Sequence, residues 1–468
     1  MGHAASKMFM SLLPEMLHEF IVDYPTIQLL IGWAIVAAPF AAAIALYIFI
    51  KMLPRIRQWL MSALLPGPFG IPFIGSLLKM RNGQKQFMDW LKSEAAHLRS
   101  MGIDMMTVNF GGRIVHFPLD GAALKPIVES TVEITKGGAR AAFEKPWIGG
   151  GLMLSDGDKW KTQRRQLTPT FSDLDRHVAL MNKHSKILLD VIEERRSSRD
   201  FKIYELVRLA TADVICEAAM GKDIDAQHHP DQPFIRALRD FSAMEQRYAT
   251  DPTMWIPPVW SFLHAKKYNA ILKQLRGFTA QVIAERMHSI DTGSVHFGDG
   301  EGKTKKIFLD HLLEMRDDEG FSFDEIREHV DTFIFAGHDS TASAIGWALW
   351  CLATNGDCQQ KAFEEIRSVF GNSDRVCSLE DIKRLEYLER CIKESMRLWP
   401  TVPIVDRHLQ EDLISGQKFA LTETLVTVSW ILRWYALRSD KPMRDIEESP
   451  ELVMQPANDF PIVFTPRK

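Results

Sequence analysis

The sequence predicts a mainly α-helical protein with small β-sheets, preceded by one transmembrane helix. Three observations carry this expectation. Residues 29–50, from Leu29 to Ile50, form an apolar run without a charged side chain, long enough to cross a bilayer core as a helix. Met106 to Phe110 alternates, breaks at Gly111-Gly112, and resumes through Ile114 and Phe117, the pattern of a β-hairpin. From there to Pro400, apolar residues recur with helical spacing.

At 468 residues, 46% of them hydrophobic, the chain buries a large core, as one big domain or two smaller ones. A net charge of −4, with both signs mixed throughout, offers no basic stripe to nucleic acid and no acidic solvating tail. The five cysteines, Cys216, Cys351, Cys358, Cys377 and Cys391, are scattered without paired metal-ligand spacing. They read as reduced core thiols of a cytosol-facing domain, and no metal-ligand set is expected.

In chain order, residues 1–28 form an N-terminal tail, and the apolar span follows, with Pro39 tolerable inside it. The rival readings are a signal peptide, for which the run starts late and is too long, and a buried soluble helix. Lys51, Arg55 and Arg57 follow the span while Lys7 stands nearly alone before it, so the positive-inside rule places the bulk of the chain in the cytoplasm. Residues 51–75 contain Pro66-Gly67-Pro68-Phe69-Gly70-Ile71-Pro72, a stiff connector in which proline fixes φ and glycine permits turns. Helices are predicted at 174–194, 204–220, 265–287 and 323–353, with a further one, apolar nearly all round, at 419–437. Residues 288–305, rich in Gly, Ser and Asp, read as a surface loop.

Within the helix at 323–353 stands Phe335-Ala336-Gly337-His338-Asp339-Ser340-Thr341. Ser and Thr after a glycine can bond back to the carbonyl four residues earlier and open a bulge. Alone this is a helix kink; beside a bound cofactor it would aim a carboxylate and hydroxyls at it. Glu394 and Arg397 share one helical face, as an ordinary surface ion pair would. That helix ends at Pro400 and continues as Val402-Pro403-Ile404-Val405-Asp406-Arg407, an apolar strand with a single arginine. Upstream, Trp160 and Arg164 lie four apart, where an indole N–H and a guanidinium could hold one carboxylate, or simply begin a solvated basic helix. Gly149-Gly150-Gly151 lacks the Lys-Ser/Thr ending of a phosphate loop.

In this order the motifs resemble those of the cytochrome P-450 superfamily. Glu394 and Arg397 match its Glu-x-x-Arg helix, and Trp160 and Arg164 its Trp-x-x-x-Arg helix. Ala336 to Thr341 matches its Ala-Gly-x-Asp-Thr-Thr motif, with Ser340 where threonine is usual. The stretch 66–75 resembles the proline-rich hinge of microsomal members. Pro146-Trp147-Ile148-Gly149 and Thr168-Pro169-Thr170-Phe171 are similar to family 4, the fatty-acid ω-hydroxylase group.

The resemblance implies a cytochrome P-450 fold over residues 76–468 with haem b as cofactor. It implies a haem-thiolate monooxygenase that hydroxylates a lipophilic substrate, a fatty acid or similar, with dioxygen and NADPH-derived electrons. Asp339, Ser340 and Thr341 would manage protons. Trp160, Arg164 and Arg407 would anchor haem propionates, with Ala336 and Gly337 beside the cofactor, while Val402, Ile404 and Val405 would line the substrate cavity. Lys159, Lys161 and Arg165 would face an NADPH-dependent P-450 reductase. The anchor would be single-pass in the endoplasmic reticulum membrane, with residues 1–28 lumenal and the catalytic part cytosolic. Many ω-hydroxylases esterify haem through a glutamate; Ala336 occupies that place, so the covalent link is impossible here.

One contiguous block of the pattern is missing. The haem loop, Phe-x-x-Gly-x-Arg-x-Cys-x-Gly, should precede the helix opening at Gly416-Gln417-Lys418-Phe419, but Asp412-Leu413-Ile414-Ser415 runs straight into it. No cysteine lies between Cys391 and the C-terminus. Cys391 shares a helix with Glu394 and Arg397 and would face the wrong way; His408 would lie on the cavity side. The meander whose arginine the Glu394–Arg397 pair clasps is absent too. The chain is thus either a monooxygenase of the family type or a catalytically inactive, haem-free splice variant or mis-assembled gene product. The second would retain membrane anchoring and ligand or reductase binding. With nothing to cover part of it, the helix at 419–437 would also make the fold less cooperative.

Overall fold

The computed structural model describes residues 53, 56, 57, 59, 60, 62–71, 74–80, 84–129, 135, 138–171, 173–198, 201–294, 306–407, 418–450 and 453–467. The expected span 29–50, His408 and the junction at 415–417 lie outside the described residues. Among the described residues no helix is long and apolar enough to cross a membrane. The chain divides into two compact units, Met1–Lys79 with Lys92–Asp120, and Met80–Leu91 with Gly121–Lys468.

The first unit contains the hairpin. Strands β1 (Met105–Phe110) and β2 (Arg113–Pro118) pair antiparallel with Val108 opposite Val115. The two-residue turn needs φ > 0 at both positions, and Gly111 and Gly112 supply it at +61° and +92°. The Pro/Gly connector is more than a spacer: Thr107 N–H donates to the Pro66 carbonyl at 2.7 Å and Ser76 N–H to that of Asn109 at 2.7 Å. A Cβ on Gly67 would stand 1.9 Å from the Thr107 carbonyl oxygen, so only glycine permits this approach.

The second unit is helical. Its longer helices, of eleven residues or more, are α1 (Gly138–Ile148), α2 (Gly157–Leu167), α3 (Leu174–Arg195), α4 (Ile203–Met220), α5 (Pro233–Thr250), α6 (Ala265–Asp291), α7 (Phe308–Glu319) and α8 (Phe323–Thr354). There follow α9 (Gly356–Phe370), α10 (Glu386–Leu398) and α11 (Lys418–Trp434). The helices expected at 174–194, 204–220, 265–287 and 323–353 all form, and α6 runs on through Asp291 into the stretch read as loop. Ser322 starts α8 with a reciprocal cap: Glu325 N–H donates to the Ser322 hydroxyl oxygen at 3.2 Å, and Ser322 N–H to the Glu325 carboxylate at 3.1 Å.

The long helix α8 is the axis of this unit, and α4 lies along it. Two apolar clusters share these helices. One gathers Phe143, Trp147, Phe241, Tyr268 and Phe335, with Trp147 edge-on to Phe241 at 4.6 Å. The other centres on Trp347, Trp350 and Trp430, and Trp347 stacks on Trp399 at 4.9 Å. Met454 brings the C-terminal segment to α8, its carbonyl accepting from Trp347 Nε1 at 2.9 Å and from the Ser343 hydroxyl.

Helix α11 ends earlier than expected, at Trp434, because Tyr435–Arg438 (β3) pairs antiparallel with Val463–Pro466 (β6) instead of continuing to residue 437. Its second half is buried, as its apolar composition predicts. Leu425, Val426, Val428, Ile431 and Leu432 are all buried, each contributing roughly 1.5–3 kcal/mol relative to exposure. Buried Asn182 of α3 locks it: its Oδ1 accepts from Trp430 Nε1 at 2.8 Å and Cys377 N–H at 2.9 Å. Its Nδ2 donates to the carbonyls of Val178 at 2.7 Å and Cys377 at 2.8 Å. A last small hairpin joins Glu448–Pro450 (β4) and Met454–Pro456 (β5).

Candidate functional site

The middle of α8 interrupts its own burial. From Ile326 to Ala353 most side chains are inside, yet Ala336 is exposed and Gly337 and Ser340 are partly so. These three positions share a helical face with Phe333, leaving an open strip there. Ser340 bonds back as its type predicts, Oγ donating to the Ala336 carbonyl at 2.6 Å. No bulge opens, however, and α8 is α-helical throughout. Gly337 is required for another reason: a Cβ there would lie 2.7 Å from Ile215 of α4. Thr341 is 1% exposed and its hydroxyl has no hydrogen-bond partner.

Asp339 points the other way, into a charge cluster. Arg208 Nε of α4 donates to its Oδ1 at 2.7 Å, and the Ser242 hydroxyl of α5 to its Oδ2 at 2.9 Å. Burial opposes ionisation, but Arg208 foremost, then His338 and Ser242, hold this carboxyl well below the usual carboxylate range. A group so fixed as an anion is a structural counter-ion, a poor carrier of protons near neutral pH. Arg208 and Ser242 were not visible as partners from sequence, lying 131 and 97 residues away. One signal existed: Arg208 is the single basic residue of a helix buried almost all round.

Trp160 and Arg164 meet as their spacing predicts, with the guanidinium 5.5 Å from the indole centroid. The preceding block is fastened to the first turns of α8. Gly150 N–H donates to Glu328 Oε2 at 2.8 Å, and Lys159 Nζ reaches Glu325 at 3.4 Å. Lys161 pairs with Asp158 at 3.6 Å, and Arg165 is exposed. Glu394 and Arg397 pair with each other in a two-pronged contact, 2.7 Å on both prongs, on a surface where each is more than half exposed.

Residues 401–407 form no strand: Met454 N–H donates to the Thr401 carbonyl at 2.8 Å, but among the described residues no ladder continues from that bond. Val402, Ile404 and Val405 are consequently 38%, 42% and 71% exposed, lining an open face where an enclosed cavity wall was expected. Arg407 behaves differently. It is half-buried, burial lowers its guanidinium pKa, and its Nε is buried without a hydrogen-bond partner among the described residues.

These features test haem in two parts. The propionate side fits, since Arg407 has an orphaned buried donor and Trp160 and Arg164 present a joint cationic face. The iron side does not. Cys216, Cys351, Cys358 and Cys391 lie within helices α4, α8, α9 and α10, and Cys377 is buried with its backbone tied to Asn182. Beyond Cys391 the chain has no cysteine at all.

A long central helix with a small-residue, acid and hydroxyl motif, the Glu-x-x-Arg helix and the Trp-x-x-x-Arg helix define the haem-thiolate monooxygenase class. Residues 65–414 match the family model for cytochrome P450, and the chain belongs to that family, with a family-4-like type. It is similar to cytochrome P450 4V2 of Homo sapiens, 34% identical over 383 residues, covering 79% of this chain and 72% of that protein. Cytochrome P450 4V2 of Rattus norvegicus is 33% identical over 448 residues, covering 93% and 83%. Cytochrome P450 4d2 of Drosophila melanogaster is 31% identical over 367 residues, covering 75% and 72%.

Proposed function

We propose that this chain carries the design of a lipophile-hydroxylating monooxygenase without performing the reaction. It is a membrane-anchored, catalytically inactive member that retains lipophile or reductase binding. The carrying observation is the missing sulfur: no cysteine follows Cys391, and the haem-loop pattern that would hold one before Gly416 is absent. In the parent design, haem bound to a cysteine thiolate would supply oxygen activation, the thiolate favouring O–O cleavage. Trp160, Arg164 and Arg407 would hold its propionates, Ala336 and Gly337 would lie beside it, and Ser340 and Thr341 would handle protons. Asp339, tied to Arg208, would keep the helix in place. Val402, Ile404 and Val405 would face the substrate, a fatty acid or similar lipophile.

Residues 29–50 would hold the protein in the endoplasmic reticulum membrane, with residues 1–28 lumenal, 51–75 as linker and 76–468 as the cytosolic part. The charge-free run and the basic residues after it support this. Phe262, 88% exposed, and Leu263, 62% exposed, offer a second apolar contact for the same surface. The electron donor would be an NADPH-dependent P-450 reductase.

The test is the reduced, carbonyl-bound absorption spectrum of the full chain expressed with haem supplied. The expected result is little bound haem, no thiolate-type band, and no oxidation of fatty acid with reductase and NADPH. Restoring a cysteine-containing loop between Ser415 and Gly416 should bring back all three. A thiolate spectrum from the chain as it stands would overturn the proposal.

A further inference from the structure

A cavity of about 550 Å³ opens where the end of α3, the start of α4 and α5 meet, lined by none of the residues placed in the haem design. That size is within the ~300–1,000 Å³ of small-molecule sites. Its floor is apolar, from Leu206 and Leu209, both buried in the core, with Phe201 beside them. Three cations stand round it: Arg195 from the last turn of α3, Lys202 before α4, and Arg239 from α5.

None of these three cations makes an ion pair or side-chain hydrogen bond among the described residues. The acids at the cavity are Glu205 and Asp231, and Glu205 already faces Arg208 at 3.6 Å. Three like charges around one cavity repel, and an entering anion relieves that repulsion. The second amide of α4 is not the attraction, because Asp459 already accepts from Tyr204 N–H at 3.1 Å through both oxygens. The side chains supply the positive field.

The geometry points to a second ligand site here, for a small single-chain anionic amphiphile whose head meets Arg195, Lys202 and Arg239 while its apolar body lies on Leu206 and Leu209. A lone inorganic anion would leave the apolar floor wet, and an uncharged lipophile would leave the cations unmet. The volume has no room for a two-chain lipid. Glu205 also connects the cavity to Arg208, and through it to Asp339 at the centre of α8.

The experiment is calorimetric titration of decanoate into the full chain in zwitterionic nanodiscs, with empty discs as blank. A saturable site is expected that the double variant Arg195→Gln/Arg239→Gln weakens at least tenfold, as does Lys202→Gln, whatever else binds on the haem side. Decanol, with the chain but no charge, and inorganic phosphate, with charge but no chain, should each bind at least tenfold more weakly than decanoate. These cations have no partners to lose, so unchanged circular dichroism and melting are expected for the variants. Arg407→Gln should leave decanoate affinity unchanged. Absence of saturable binding, or equal binding by the double variant, overturns the assignment. Loss of binding in Arg407→Gln alone would move the ligand to the haem-side site, and phosphate binding as tightly as decanoate would remove the apolar half of the claim.

Discussion

His329 should make this fold sensitive to acid. It sits on α8, 1% exposed, with neither ring nitrogen hydrogen-bonded and its ring edge-on to Phe321 at 5.7 Å. Burial, reinforced by Lys159 and opposed by Glu325, lowers its pKa from 6.5 to about 4. The unfolded chain therefore takes up this proton as pH falls below 6.5, while the folded chain resists until about 4. Stability is full above 6.5 and falls through that window as the pH drops. At ~1.36 kcal/mol per unit, the loss is about 2 kcal/mol at pH 5 and about 3 kcal/mol by pH 4. His329→Met removes the titration and both unpaired nitrogens, so the variant should match or exceed the parent at pH 7.5. Urea unfolding of both proteins across the window, read as a difference, isolates this imidazole from the carboxyls that titrate over the same range. Parallel curves from pH 7.5 to 4.5 would refute the reasoning.

Other outcomes follow from features already described. Arg208→Met strands the Asp339 carboxylate in a buried setting and should cost ~3–5 kcal/mol in urea unfolding; adding Asp339→Leu should recover most of it. Gly111→Ala must keep φ at +61° and place a Cβ 2.6 Å from Leu77 Cδ1, so a loss of at least ~1–2 kcal/mol is expected, seen as a lower melting temperature. Deleting residues 1–50 should release the protein from membranes in a flotation assay, apart from contact through Phe262 and Leu263, which Phe262→Ser/Leu263→Ser should remove. A glycosylation tag at the C-terminus should stay unmodified, and its modification would reverse the proposed topology.

What the sequence revealed was governed by distance along the chain. The hairpin was readable because its partners are adjacent and Gly111-Gly112 is a turn signal in itself. Ser340 was readable because its acceptor lies four residues back. Helix α11 was extended three residues too far because what ends it is pairing with residues 463–466, about which local spacing carries no information. Its lock on α3 was not legible for a related reason, since Asn182 lies 248 residues from Trp430. The same holds for Asp339, whose motif was plain but whose partners Arg208 and Ser242 were not. At 401–407 the apolar composition was read as a strand, yet composition cannot supply a second strand to pair with.

The seat of α11 has a consequence for how such a chain fares in a cell. Folding surveillance responds to exposed apolar surface, not to whether a cofactor can be held. Around Asn182 the helix is clasped by α3 and by the Cys377 backbone, and its residues from Leu425 to Leu432 show almost nothing to solvent. Between Leu425 and Leu432 the seat is closed by side chains and backbone of the chain itself, so the burial of this segment needs neither a cofactor nor a sulfur ligand.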